Sequence, residues 1–199
     1  METAILARHA ESEFSFRGVV NGDPAAAGGG LTEAGREQAR VLGRALAGDA
    51  VDLCVTSEFR RVRETADIAL EGRDVPRLVV PELNDIRFGV FEGKLLTDYR
   101  GWAWNHGPDE DCPGGGESRV AAARRFTKAF RKVLERPEGT ILVVAHGLPI
   151  RYVLDAARGG GPVQRIEPVG YAEPQRLSHS ELASAVERLE AWVADPVFV

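Results

Sequence analysis

The sequence predicts an α/β fold, a mostly parallel central sheet flanked by helices. Three observations carry this. Short apolar runs lack the polar alternation of half-exposed strands, apolar stripes at helical spacing lie between and after them, and Gly/Pro-dense stretches punctuate the chain. With 199 residues and 44% apolar content, the chain can enclose one sizeable core, so a single domain over 1–199 is expected.

The elements follow from local pattern. TAILA (3–7) is a first strand apolar enough to be covered on both faces, and GDPAAAGGG (22–30) reads as a loop. Thr32 suits a helix N-cap, after which Gly35, Ala39, Leu42 and Leu46 fall on one helical face. VDLCVT (51–56) and RLVV (77–80) read as the next strands, and GPDEDCPGGG (107–116) as a second loop. Beyond it, Val120, Ala123, Phe130, Val133 and Leu134 form an apolar helical face. Arg124, Arg125, Lys128, Arg131 and Lys132 fall mostly elsewhere and read as a solvated face. TILVVA (140–145) is a fourth strand, RGGGP (158–162) a loop, and Leu182, Val186, Leu189 and Val193 mark a last helix. Strands alternating with helices make the layered α/β class.

A formal net charge of −5 argues against a nucleic-acid partner, whose phosphates are met by Lys and Arg, but leaves a single small phosphate open. METAIL has no signal-peptide pattern, and no stretch nears the ~20 apolar residues of a membrane span. A cytoplasmic protein with no membrane partner is the expectation. The two cysteines form no disulfide framework: Cys54 reads as a buried filler and Cys112 as a loop thiol. No His/Cys spacing suggests a metal site, and no cofactor is expected.

In open α/β sheets, ligands sit beyond the carboxyl ends of the strands. The first strand ends in Arg8-His9. The second ends in Ser57 and runs into Arg60, Arg61 and Arg63. The fourth ends in His146-Gly147, and the third leads to Glu82 and Asp85. Two imidazoles, an arginine cluster and carboxylates therefore meet at one sheet edge. Arginines hold a phosphate by bidentate hydrogen bonds, a neutral imidazole attacks phosphorus, and a carboxylic acid protonates the leaving oxygen. Spacing alone points to a phosphate or a carboxylate site.

These residues resemble the histidine phosphatase superfamily, also called phosphoglycerate mutase-like. RHAES (8–12), GGLTEAGREQA (29–39), TSEFRRVRETA (56–66), LNDIRFGVFEG (83–93), PGGGES (113–118) and VVAHGLPIR (143–151) are similar to its motif blocks and stand in the family's order. The resemblance implies a three-layer sandwich and a phosphatase that hydrolyses a phosphomonoester of a small substrate. The alternatives are a cofactor-dependent phosphoglycerate mutase and a non-catalytic phospho-ligand-binding module. Mutases of the family are generally longer between the FEG and PGGGES blocks, which favours hydrolysis. By resemblance, His9 is the nucleophile, Arg8 and Arg61 clamp the phosphoryl oxygens, His146 completes the pocket, and backbone N–H groups of Gly147 and Leu148 assist. Arg61 stands four residues after Ser57, where the family places its arginine. Nearby Arg8 and Arg61 should keep His9 neutral.

Several positions depart from the family pattern. Ala10 replaces a usual glycine, and Phe91 a tryptophan that packs. Asp85 replaces a glutamate as proton donor, withdrawing the carboxyl by ~1.5 Å; Glu82 is the alternative acid. Ser15 stands where an asparagine binds phosphate, so Asn21 is a candidate to supply that amide and Arg17 a further ligand contact. A small cap within 94–117 is expected to cover the substrate, with Trp102 or Trp104 on its wall, and His106 and His179 read as surface histidines. The C-terminal stripe with Trp192 packs on its own domain or on a second copy, making a homodimer an open expectation.

Overall fold

The computed structural model describes residues 1–199. Five strands, β1 (Thr3–Arg8), β2 (Leu53–Thr56), β3 (Arg77–Val79), β4 (Thr140–Ala145) and β5 (Gln175–Ser178), form one sheet in the order β3-β2-β4-β1-β5. The first four are mutually parallel, and β5 runs antiparallel to β1 at the edge. The sequence reading missed β5 because it is short and one-faced: in QRLS only Leu177 is buried.

Seven helices complete the fold: α1 (Glu13–Phe16), α2 (Glu33–Ala45), α3 (Arg60–Ala69), α4 (Leu96–Ala103), α5 (Arg119–Leu134), α6 (Gly147–Ala157) and α7 (His179–Ala194). The central strands divide their side chains between two cores, as the two-residue period of a strand requires. Ile5, Ala7, Cys54, Leu142 and Val144 pack with Ala39, Leu42, Val62 and Ala66 of α2 and α3. Ala4, Leu6, Leu53, Val55, Ile141 and Val143 pack with Phe126 and Phe130 of α5, Tyr152 of α6 and Leu182 of α7. The sheet is therefore the middle of three layers, which explains why its strands are apolar without alternation.

The caps follow local chemistry. The Thr32 hydroxyl accepts the Gly35 N–H at 3.0 Å, and Ser178 and Glu181 form a reciprocal capping box on α7. Gly35 also has a packing role: a Cβ there would lie 2.0 Å from the Glu11 carbonyl oxygen. Its absence lets α2 press against the segment that follows β1, just past His9.

Two expectations need correction. Cys112 lies in a loop but is buried, its thiol donating to the Phe88 carbonyl at 3.1 Å, and burial pushes its pKa up. The basic run of α5 is not one solvated face. Arg124 and Lys128 are exposed, whereas Arg125 lies against buried Glu117, with Nη2 donating to Oε2 at 2.8 Å. Helical periodicity assigns a face but cannot foresee which polar faces a neighbouring loop covers.

Candidate active site

Register brings the separated motifs together. Arg8 pairs with Ala145 across β1 and β4, and the His9 N–H donates to the Ala145 carbonyl at 2.9 Å. His9 and His146, which follow these adjacent strands, thereby stand with ring centroids 5.4 Å apart, edge to face. Arg61, on the first turn of α3 after β2, enters between them.

Arg61 is the hub. Its Nε donates to His9 Nε2 at 3.2 Å, Nη1 to Asn21 Oδ1 at 2.7 Å, and Nη2 to the Asn21 carbonyl at 3.1 Å and His146 Nδ1 at 3.2 Å. The guanidinium also lies 4.2 Å over the Phe59 ring. Because arginine only donates, these contacts fix both imidazole tautomers. His9 carries its proton on Nδ1, which donates to the Ala10 carbonyl at 2.7 Å, leaving a lone pair on Nε2. His146 carries its proton on Nε2, which donates to Ser57 Oγ at 2.9 Å.

Electrostatics favour the neutral imidazoles. Burial holds His9 well below the ordinary imidazole value, with Arg61 and Arg8 adding to the effect, and His146 is lowered first by burial and then by Arg61. Arg61 falls to about 10, chiefly from burial, and remains a cation at neutral pH. Asp85 goes the other way: burial raises its pKa although Arg61 opposes this. The site thus favours a neutral His9 imidazole and shifts the Asp85 carboxyl toward its protonated form.

Asp85 reaches the centre despite its shorter side chain. Oδ2 lies 3.5 Å from Arg61 Nη2 and 3.6 Å from His146 Nδ1, while Oδ1 accepts the Ile86 N–H at 3.0 Å. The backbone of this segment is anchored by Arg125, whose Nη1 donates to the Glu82 and Asn84 carbonyls at 2.9 and 2.7 Å and whose Nη2 donates to the Asp85 carbonyl at 3.1 Å. Glu117, from the PGGGES block, holds Arg125 in turn and also accepts the Arg87 N–H at 3.0 Å. Gly89 closes the segment against that block with φ +55°, where a Cβ would meet the Pro113 carbonyl at 2.0 Å. Glu82 faces elsewhere: Lys132 Nζ donates to its Oε1 at 2.5 Å.

Arg8 and Gly147 meet on another wall. Arg8 Nη1 donates to the Val169 carbonyl at 2.8 Å, its guanidinium stacks 4.0 Å from the Tyr171 ring, and its Nε is buried without a partner. Gly147 opens α6, whose N-cap His146 gives no side-chain cap, so its first N–H groups remain available for an anion.

A cavity of 210 Å³ opens here, lined by Arg8, His9, Arg61, Asp85, Ser15, Asn21, Gly147 and Leu148 among others. Some sequence candidates are placed differently from expectation. His146 is fully buried and lies behind Arg61 rather than on the wall. The Ser15 hydroxyl is engaged in the α1 capping box with Ser12, and the Asn21 amide joins Arg61 to the Asp23 carbonyl instead of facing open space. Arg17 is exposed and does not line the cavity. Trp104 lines it, whereas Trp102 stacks on His106 at 4.4 Å, and His106 is half-buried rather than a surface residue.

The cover is broader than the 94–117 segment. Leu96, Tyr99, Arg100 and Trp104 come from it, but Val19 and Val20 supply a second side, and Ile166, Val169 and Tyr171 a third. Sequence reading missed the third group. Its one signal was an aromatic residue inside a Gly/Pro loop, EPVGYAEP. Ala172, the one non-glycine residue with positive φ (53°), donates its N–H to the Arg8 carbonyl at 2.9 Å and so seats Tyr171 on Arg8. No group of three or more His, Cys, Asp or Glu side chains converges as a metal donor set. No helix is long and apolar enough to cross a membrane.

The sequence profile described as the histidine phosphatase superfamily (branch 1) matches residues 4–195. An adenosylcobalamin/alpha-ribazole phosphatase of Salmonella typhimurium is 33% identical over 156 residues, 71% of this chain and 72% of that protein. A 2,3-bisphosphoglycerate-dependent phosphoglycerate mutase of Chelativorans sp. is 31% identical, covering 94% of this chain and 98% of that protein. Among solved structures, the alpha-ribazole phosphatase of Shigella flexneri superposes with a TM-score of 0.75 at 26% identity, over 87% of this chain and 89% of that one. The mycobacterial glucosyl-3-phosphoglycerate phosphatase does so with a TM-score of 0.74 at 25% identity, over 89% and 93%. The near-complete match to a relative named a mutase removes chain length as a ground for choosing between hydrolysis and transfer.

Proposed function

The chain belongs to the histidine phosphatase superfamily, branch 1, and on that footing we propose that it hydrolyses a small phosphomonoester through a phosphohistidine on His9. The observation that supports this reading most is the fixed tautomer of His9, which leaves a lone pair on Nε2 at the wall of a cationic cavity.

In the first step, Nε2 attacks phosphorus as the bond to the substrate alcohol breaks, and the Asp85 carboxyl gives its proton to the leaving oxygen. In the second, the Asp85 carboxylate takes a proton from water, whose oxygen attacks phosphorus; the P–N bond breaks and its electron pair returns to Nε2. Phosphate is released and Asp85 is again protonated. The Ala10 carbonyl, accepting from Nδ1–H, stabilises the imidazolium character of the intermediate. Arg8, Arg61 and the first N–H groups of α6 hold the equatorial oxygens, where transition-state charge spreads. Asn21 and His146 act through Arg61 by keeping its fork in place. Enzymes accelerate monoester hydrolysis by up to ~10²¹, of which an acid typically supplies roughly 10²–10⁴. The clamp and positioning therefore carry most of the effect.

The test is phosphate release from p-nitrophenyl phosphate with His9→Ala as control, together with acid-labile, alkali-stable phosphate labelling of the wild-type protein. Labelling with turnover supports the reading; turnover that survives His9→Ala overturns it. The Chelativorans relative motivates a mutase arm. Interconversion of 2- and 3-phosphoglycerate with 2,3-bisphosphoglycerate, outpacing phosphate release, would replace hydrolysis by transfer. The reading also includes a cytoplasmic location, tested by cell fractionation. The C-terminal stripe with Trp192 packs into the chain's own core beside Tyr152, which removes the sequence ground for a homodimer.

A further inference from the structure

A further buried cation that the reaction does not use lines the cavity. Arg119, the first residue of α5, is buried and lines the wall with Phe88, Leu96, Tyr99 and Trp104. Its Nη1 donates to the Tyr152 hydroxyl at 3.2 Å, and its Nε is buried without a hydrogen-bond partner. No carboxylate pairs with it; Glu117, two positions earlier, is engaged with Arg125 and Arg87.

The phenols beside Arg119 do not neutralise it. Burial pushes Tyr99 up to about 12 and raises Tyr152 as well, so both stay protonated. Arg119 stays a guanidinium at neutral pH, with the Tyr152 hydroxyl accepting from it and no anion beside it. A buried guanidinium without a counter-ion is costly to keep, and a neutral donor would have served to tie two tyrosines together. The N-terminal end of α5 adds positive potential to the same spot.

We propose that Arg119 receives a second oxyanion, a carboxylate or phosphate carried on the alcohol portion of the substrate. The inference deepens the phosphatase reading and rests on it. One end of the ligand is the phosphoryl group at His9, and the other is the oxyanion at Arg119, whose buried Nε has no partner within the protein. The body between them lies against the apolar wall of Phe88, Leu96, Trp104, Leu148 and Ile166. A monoester of an uncharged alcohol leaves Arg119 unpaired, so the subsite selects dianionic-ended substrates.

The experiment compares kcat/KM for phosphate esters of straight-chain ω-hydroxy carboxylic acids, from three to six carbons, with kcat/KM for the corresponding primary amides. At least one acid is expected to exceed its amide by about tenfold or more, the size of a charge-assisted hydrogen bond. That preference should fall below about threefold in Arg119→Gln and persist in Arg100→Gln, another arginine that lines the cavity. Acids and amides hydrolysed alike by the wild type would overturn the subsite, as would a preference that survives Arg119→Gln or disappears only in Arg100→Gln. Should Arg119→Gln not fold, Arg119→Lys, which keeps the charge but loses the fork, is expected to reduce the preference at least about threefold, and an unchanged preference there would also overturn it. Failure of the phosphatase reading is distinct: no ester of either kind would be hydrolysed and His9 would not be labelled.

Discussion

Arg61 Nε donates to His9 Nε2 across 3.2 Å, so in the resting site a guanidinium caps the lone pair expected to attack phosphorus. The contact holds the ring in its productive tautomer and must yield as phosphate arrives, when Arg61 transfers its donors from imidazole to phosphoryl oxygen. Lysine cannot reproduce a fork that joins His9, Asn21 and His146. Arg61→Lys is expected to lower kcat by about 10²–10³-fold, the cost of losing a preorganised donor. Steady-state kinetics with p-nitrophenyl phosphate checks this; near-wild-type turnover would remove Arg61 from the clamp.

Asp85 is expected to matter in proportion to how badly the leaving alcohol needs a proton. With an alkyl phosphate, Asp85→Asn should slow turnover by roughly 10²–10⁴-fold, and with p-nitrophenyl phosphate, whose leaving oxygen is a weak base, by much less. Equal losses on both substrates would point to a purely structural contribution. Glu82→Gln, remote from the centre and paired with Lys132, should leave the ratio between substrates unchanged.

The pH profile follows from opposite shifts. His9 must be neutral to attack, and its lowered pKa keeps it so to below the ordinary imidazole value of 6.5. Asp85 must be protonated to act as acid, and its raised pKa preserves that form above the ordinary carboxylate value of 3.8. Activity on an alkyl phosphate should fall at low pH, below the ordinary imidazole value of 6.5, as His9 protonates, and fall again at higher pH, above the ordinary carboxylate value of 3.8, as Asp85 ionises. In Asp85→Asn the residual activity should lose the alkaline decline. An alkaline decline that persists unchanged in Asp85→Asn would argue against Asp85 as the acid.

Arg125 anchors the three carbonyls around Asp85, and Glu117 anchors Arg125. Arg125→Met should therefore reproduce the leaving-group dependence of Asp85→Asn in weaker form. It should also destabilise the fold by about 1.5–3 kcal/mol, because buried Glu117 loses its charge-assisted hydrogen bonds to Arg125 and keeps only Arg87. Urea unfolding and the two-substrate comparison separate these effects; a stability loss with no change in the substrate ratio would remove the positioning role.

Tyr171 contributes its ring. No hydrogen bond involves its hydroxyl, while the Arg8 guanidinium lies 4.0 Å from the ring centroid. Tyr171→Phe should leave KM near the wild-type value, and Tyr171→Leu should raise it roughly threefold to thirtyfold as the stacking is lost. A larger effect in Tyr171→Phe than in Tyr171→Leu would transfer the role to the phenol.

The sequence by itself determined β1, β2 and β4, because they are apolar and buried on both faces. The run RLVV located β3, which at the sheet edge is largely exposed rather than covered on both faces. The sequence also determined which residues stand just past the strands' carboxyl ends. Local chemistry also fixed the Thr32 cap and the Gly/Pro loops. These are properties of short stretches, and periodicity reports them directly. Tertiary structure alone decided the rest. Edge strand β5 has a single buried side chain to announce it, and His146 lies behind Arg61 because adjacent parallel strands place the two imidazoles side by side. Asn21 serves Arg61, Arg125 holds Asp85 from 40 positions away, and Tyr171 seats on Arg8 from a stretch without a motif. Each of these pairings puts a polar side chain against a group distant in sequence, and a polar side chain carries no periodic mark of its partner: only the register of the sheet and the paths of the covering loops choose it.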